Sequence, residues 1–171
     1  MKTYLSLLVL LFSVYAHADN HLAKQKIAVL KHFYEQYFLS DEQLEKSGDK
    51  YDSVLFFTPK YLAMTNTDVL EDDEVMECVD YDPYVQGQDY ENEIIKKTIS
   101  YTPKKDGSVQ VTFKNFQENV SLSYQFSCQN HKCLIADLII PAYDDGEIKQ
   151  PEHSYPQEMQ KCIKEQIEKR S

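Results

Sequence analysis

Asp137 is the one charged residue in an otherwise apolar run from Cys133 to Ile140. A carboxylate in such a strand is costly to bury unless it is hydrogen-bonded, and burial raises its pKa. Two chemistries follow: a proton acceptor, or a polar anchor in a ligand pocket. Asp82 and Asp89 lie in a second segment, Tyr81-Asp82-Pro83-Tyr84 with Gln88-Asp89 behind it, and could approach Asp137 together with the Tyr84 hydroxyl. The structural alternative is that Asp137 accepts hydrogen bonds from backbone or tyrosine groups and fixes a loop.

A different chemistry is written into the acidic stretch just upstream. Glu71, Asp72, Asp73, Glu74 and Asp80, with Glu77 and Asp82, crowd into a short segment. It lacks the ligand spacing and turn glycine of a calcium-binding helix–loop–helix, so a solvated loop is expected and no metal. Such a loop suits steering toward a basic protein surface, with Glu71, Asp72, Asp73, Glu74 and Asp80 as the contact candidates. Tyr81, Tyr84, Tyr90 and Tyr143 stand near these loops, and tyrosine is a frequent anchor of binding interfaces.

Other catalytic signatures are missing. His21, His32, His131 and His153 have no second histidine or acid at ligand spacing. The chain holds no G-x-S-x-G elbow and no glycine-rich phosphate loop, and it has only 4 glycines, which disfavours a nucleotide cradle. No catalytic residue is named, and no cofactor is expected.

Charge and cysteines set the compartment. Lys2, the apolar run Leu5 to Val14 and Ala16-His17-Ala18 read as a signal peptide over 1–18, cleaved near Ala18, with a periplasmic destination. The apolar run is about half the ~20 residues of a membrane-spanning helix. Losing Lys2 takes the net charge from -10 to -11. That balance argues against nucleic acid, which needs clustered Lys and Arg. Four cysteines in an exported chain favour two disulfides. Cys128 and Cys133 flank the short loop Gln129 to Lys132 and face each other across a hairpin; Cys78–Cys162 follows by elimination.

The elements that must hold these groups can be read by period. Val120, Leu122, Tyr124, Phe126 and Cys128 alternate with polar residues, as in a strand with one buried face; Cys133 to Ile140 is apolar on both faces and should lie deeper in the sheet. Ile95, Ile99 and Tyr101 suggest a strand from Asn92, and Asp106-Gly107 a hairpin turn into Val109, Val111 and Phe113. Gln25 to Phe38 reads as an amphipathic helix, Ser40 as the cap of a short second one, and Asp52 to Met64 as a third, kinked or split at Pro59, with Val54, Leu55, Tyr61, Leu62 and Met64 as its apolar set. After Pro141 a polar loop with Asp144-Asp145-Gly146 leads to a last helix, Pro156 to Lys169, with Met159, Cys162, Ile163 and Ile167 on one face. The expectation is one α+β domain over 19–171, with N-terminal helices on a curved four-stranded antiparallel sheet and a C-terminal helix.

The order of elements resembles the NTF2-like, or cystatin-like, cone. More narrowly, Phe33-Tyr34 and Tyr37, then Tyr81-Asp82-Pro83-Tyr84 with Gln88-Asp89, and the closing strand with Asp137 are similar to a family of small exported bacterial proteins of unknown function. The similarity spans about Gln25 to Ile140. Where that family opens its last strand with an aromatic residue, often Trp, this chain has Cys133 and Leu134. The resemblance implies fold and compartment and brings no activity.

Three functions are compatible with these features. The first is a non-enzymatic periplasmic binding protein, in concrete form an immunity-type inhibitor of a protein toxin. The second is a small-ligand pocket anchored by Asp137, Asp82 or Asp89. The third is an acid–base enzyme using the same carboxylates.

Overall fold

The computed structural model describes residues 21–38, 40–48, 52–130, 132–144 and 147–170. The expected leader over 1–18 lies outside them. The first helix, α1, is described over 21–37. Its apolar stripe recurs at helical spacing, so Leu30, Phe33, Tyr34 and Phe38 are all buried. α2 (Asp41–Ser47) starts at Ser40, whose side chain accepts from the Gln43 N–H, and stops at Gly48 in the left-handed conformation.

The third helical stretch is split at Pro59. A single 3-10 turn, Ser53–Leu55, comes first. α3 (Pro59–Thr65) then opens on the proline, capped by Thr58, because an N1 proline loses no helical hydrogen bond. This corrects the apolar set: Val54 and Leu55 are exposed, and Phe56 and Phe57 fill the core instead. Both are held by a bridge of Phe57 to Ile135 beside the sheet. The acidic stretch is also not a loop. It forms α4 (Asp72–Cys78), with Asp72, Asp73 and Glu74 in its first turn, where carboxylates meet the positive end of the helix.

A second correction falls on Asn92, which begins a helix, α5 (Asn92–Thr98), and not a strand. Ile95 and Ile99 are four apart, a spacing that shares one face in a strand and in a helix alike. Glu93 in the first turn and Lys96 and Lys97 in the last favour the helix. The sheet then runs as a meander: β1 (Ser100–Pro103), β2 (Val109–Asn115), β3 (Glu118–Gln129), β4 (Lys132–Asp144) and β5 (Glu147–Ser154), in the order β1-β2-β3-β4-β5 and antiparallel throughout. It has five strands where four were expected. The polar segment after β4 pairs along the free edge of that strand, from Asp144↔Glu147 to Ile139↔Ser154. An edge strand needs no apolar alternation and tolerates proline. The chain closes with α6 (Tyr155–Lys169), capped by Ser154.

β3 alternates as its pattern requires, with Val120, Leu122 and Tyr124 buried. β4 does not alternate cleanly. Gln125 faces Asp137 and Phe126 faces Ile135, so Ala136 is an extra residue in the ladder, a β-bulge. The bulge lets Ile135 and Leu138, three apart, both turn into the core. It also leaves Ala136 and Asp137 on the outer face. The core lies between the inner face and α1, with Phe33 packed on Phe56 and Phe57, and Tyr34 on Phe113 and Tyr124. α6 covers α3 and β4. On α6, Gln166 is buried in place of Ile167, which is 45% exposed, because the Gln166 amide donates to Glu77 of α4 at 2.7 Å. No described helix is long and apolar enough to cross a membrane. Cys78 is bonded to Cys162, and Cys128 to Cys133 opposite it on the β3–β4 hairpin. Two disulfides are compatible with an exported chain.

Candidate functional site

The Tyr81–Asp89 segment is built around Asp82. Its Oδ1 accepts from the Tyr84 N–H at 2.8 Å, and its Oδ2 accepts from the Tyr37 hydroxyl on α1. The backbone closes over the same residue: Asp82 N–H donates to the Gly87 carbonyl at 3.0 Å, and Gln86 N–H to the Asp82 carbonyl at 2.8 Å. Gly87 is required there, since a Cβ would stand 2.9 Å from the Asp89 carbonyl oxygen. Asn115, buried at the end of β2, donates to the Val85 and Asp89 carbonyls at 3.3 and 3.1 Å. Burial raises the pKa of Asp82, and backbone N–H groups of Tyr84 and Val85 oppose that rise. The carboxylate therefore works as a clamp between α1 and the loop.

Tyrosine hydroxyls continue this network inward. Tyr34 donates to the Tyr84 carbonyl at 3.1 Å and shares a 2.7 Å hydrogen bond with Tyr124. The Tyr84 and Tyr61 hydroxyls are 3.3 Å apart. Burial holds Tyr34 and Tyr124 well above the ordinary phenol range.

The structure brings Asp82 and Tyr84 together but gathers neither Asp89 nor Asp137 with them. Asp89 is exposed at the far end of the loop. Asp137 lines a shallow groove of about 870 Å³ on the outer face of the sheet, beside Lys60, Gln125, Ser127 and Lys132. Its Oδ1 accepts from the Ser154 hydroxyl at 2.8 Å, and Ser154 is the N-cap of α6. Asp137 thus steadies the start of that helix.

The acidic candidates divide between two faces of α4. Glu71 closes the helix start, its N–H donating to Glu74 Oε2 at 2.8 Å. Glu74 pairs with Arg170. Glu77 accepts from Lys169 at 3.1 Å and Gln166 at 2.7 Å, and these bonds lower its pKa. Cys78 completes the attachment to α6. Asp72, Asp73 and Asp80 are exposed and form no ion pair among the described residues. Met76, two positions from both Glu74 and Cys78, is turned away from α6 and is 68% exposed.

A cleft that no motif announced lies between α1, α5 and β1. It measures about 600 Å³, with Lys31, Glu35, Lys96 and Tyr101 at its edge over Tyr34, Phe38 and Ile99. Its sequence signal was faint: Lys31 and Glu35, on the polar side of α1, share a helix face four residues apart. Among the described residues no group of histidines, cysteines and acids could hold a metal.

A protein of unknown function from Bacteroides thetaiotaomicron VPI-5482, known from its crystal structure, is similar to this chain. The TM-score is 0.52 at 18% identity, covering 74% of this chain and 95% of that one. At that identity the likeness is one of fold. It is consistent with a family of unknown function. No family model matches the sequence, and no curated protein does.

Proposed function

We propose that this is a periplasmic, non-catalytic binding protein of NTF2-like fold that docks a basic protein partner through α4, in concrete form an immunity-type inhibitor of a protein toxin. One observation carries the reading: α4 has one face bonded to α6 and the other turned to solvent. The disulfide and the Glu74 and Glu77 pairs hold the first face. Asp72, Asp73 and the exposed Met76 are left on the other. A pre-ordered acidic surface with an apolar centre loses little entropy on binding and steers a cationic partner. The pocket anchored by Asp137, Asp82 or Asp89 has less support, because Asp137 and Asp82 already accept bonds from Ser154, Tyr37 and the Tyr84 N–H. An acid–base enzyme built on the same carboxylates has least, since Asp137 lines the outer groove while Asp82 is held within its own loop by Tyr37 and the Tyr84 N–H.

The test is capture by the immobilised mature chain, without reductant, from periplasmic and cell-contact extracts at low and high salt. A basic protein held at low salt and released at high salt supports the reading if Asp72→Lys/Asp73→Lys slows its association by about tenfold or more. Equal capture by the variant, or capture indifferent to salt, overturns it.

A further inference from the structure

The cleft between α1, α5 and β1 combines three features of a ligand site. Its volume, about 600 Å³, falls in the range of small-molecule sites. Its floor is apolar, formed by Phe38, Ile99 and the ring of Tyr34. Its edge carries two cations: Lys31, whose ammonium lies 5.9 Å from the centre of the Tyr101 ring, and Lys96 at the end of α5. Neither lysine forms an ion pair among the described residues. Lys31 passes over Glu35, its i,i+4 neighbour, and stands above the aromatic ring instead.

The balance of these groups sets the ligand's chemistry. Two ammonium groups above an apolar floor favour one negative head on an apolar body. Glu35, on the same edge, repels a second negative charge and disfavours a dianion. The Tyr101 hydroxyl is a hydrogen-bond donor at neutral pH, and burial, with Glu35 adding to it, pushes its pKa further up. We infer that this cleft binds a small amphipathic monoanion, a carboxylate on an aromatic or acyl body, with Lys31, Lys96 and Tyr101 taking the head and Phe38 and Ile99 the body. The site shares no residue with α4, so this inference and the protein-partner reading stand or fall separately.

A matched series separates head from body: 4-phenylbutyrate, 4-phenylbutanol and 4-phenylbutylamine, titrated into the isotopically labelled chain and followed by amide shifts. The carboxylate should bind at least tenfold tighter than the amine, with shifts confined to α1, α5 and β1. Lys31→Gln/Lys96→Gln should weaken the carboxylate at least tenfold, and both side chains are exposed enough for the fold to survive their loss. Glu35→Gln should tighten it. The inference is overturned if the amine binds as well as the carboxylate, if the shifts map to the outer groove of Asp137, or if the carboxylate does not bind at millimolar concentration. The first series uses the unaltered protein, so it decides even if a variant misfolds.

Discussion

The hydroxyl oxygens of Tyr34 and Tyr124 lie 2.7 Å apart in a fully buried pair joining α1 to β3. Tyr34 also serves the Tyr84 carbonyl. Removing the Tyr34 hydroxyl takes the hydrogen bond from the buried Tyr124 hydroxyl, which costs about 1–3 kcal/mol; removing the Tyr124 hydroxyl costs less, because Tyr34 still donates to Tyr84, and removing both removes the mismatch between them. Tyr34→Phe and Tyr124→Phe should each lower unfolding free energy in urea, and the double variant should lose clearly less than the sum. The pair also fixes an alkaline limit. Burial raises both phenols above their ordinary value of 10.0, so near that pH the unfolded chain releases protons that the folded chain keeps. The contribution of this pair is level below pH 10.0 and is lost as pH rises past it, so stability should fall less there in the double variant.

Asp137 and Ser154 should behave as one unit. Asp137→Ala and Ser154→Ala are each expected to cost about 1–2 kcal/mol, from a lost cap and a lost hydrogen bond. Asp137→Asn keeps an acceptor and should melt close to the parent. Additive losses in the Asp137→Ala/Ser154→Ala chain would separate the two residues and leave Asp137 without its structural role.

The disulfides differ in the length of chain they close. Cys78–Cys162 spans a separation of 84, and Cys128–Cys133 one of 5. Loop-closure entropy assigns the first about 4–5 kcal/mol and the second about 2 kcal/mol. Denaturation of the two serine double variants should therefore rank Cys78→Ser/Cys162→Ser as the less stable.

An acid limit lies at the other end of the pH scale. The hydrogen bond from Lys169, with that of Gln166, lowers the pKa of Glu77 from 4.5. A lowered carboxyl contributes stability above its ordinary value and loses it as pH falls through the folded one. Melting temperature should drop below pH 4.5 through this group, and Glu77→Gln should flatten that part of the profile. A profile unchanged by the substitution would remove Glu77 from the α4–α6 attachment.

What could be read from the sequence was whatever a local pattern decides. The alternation of Val120, Leu122 and Tyr124, the Ser40 cap, the Asp106-Gly107 turn and the cysteine pair across the hairpin all depend on neighbours in the chain. The misses depend on distant ones. Ile95 and Ile99 share a face in either structure, so their spacing could not exclude α5. β5 is polar and takes its form from the free edge of β4. The bulge at Ala136, which turns Asp137 outward, is visible only once β3 is laid beside β4. Asp82 was found through its motif, but its role as a clamp needs Tyr37, distant in sequence. Lys31, Glu35, Lys96 and Tyr101 come from three separate elements, and none belongs to a motif.

The order of the cysteines along the chain has a consequence for biogenesis. Cys78 meets its partner only after all five strands have been synthesised, while Cys128 and Cys133 both appear in between. A chain oxidised in order of emergence would join Cys78 to Cys128 and trap α4 against the wrong strand. The native pairing therefore favours a route in which the β3–β4 hairpin forms first and withdraws its own two thiols. Cys78 is then left to wait for α6, or to be rescued by thiol exchange.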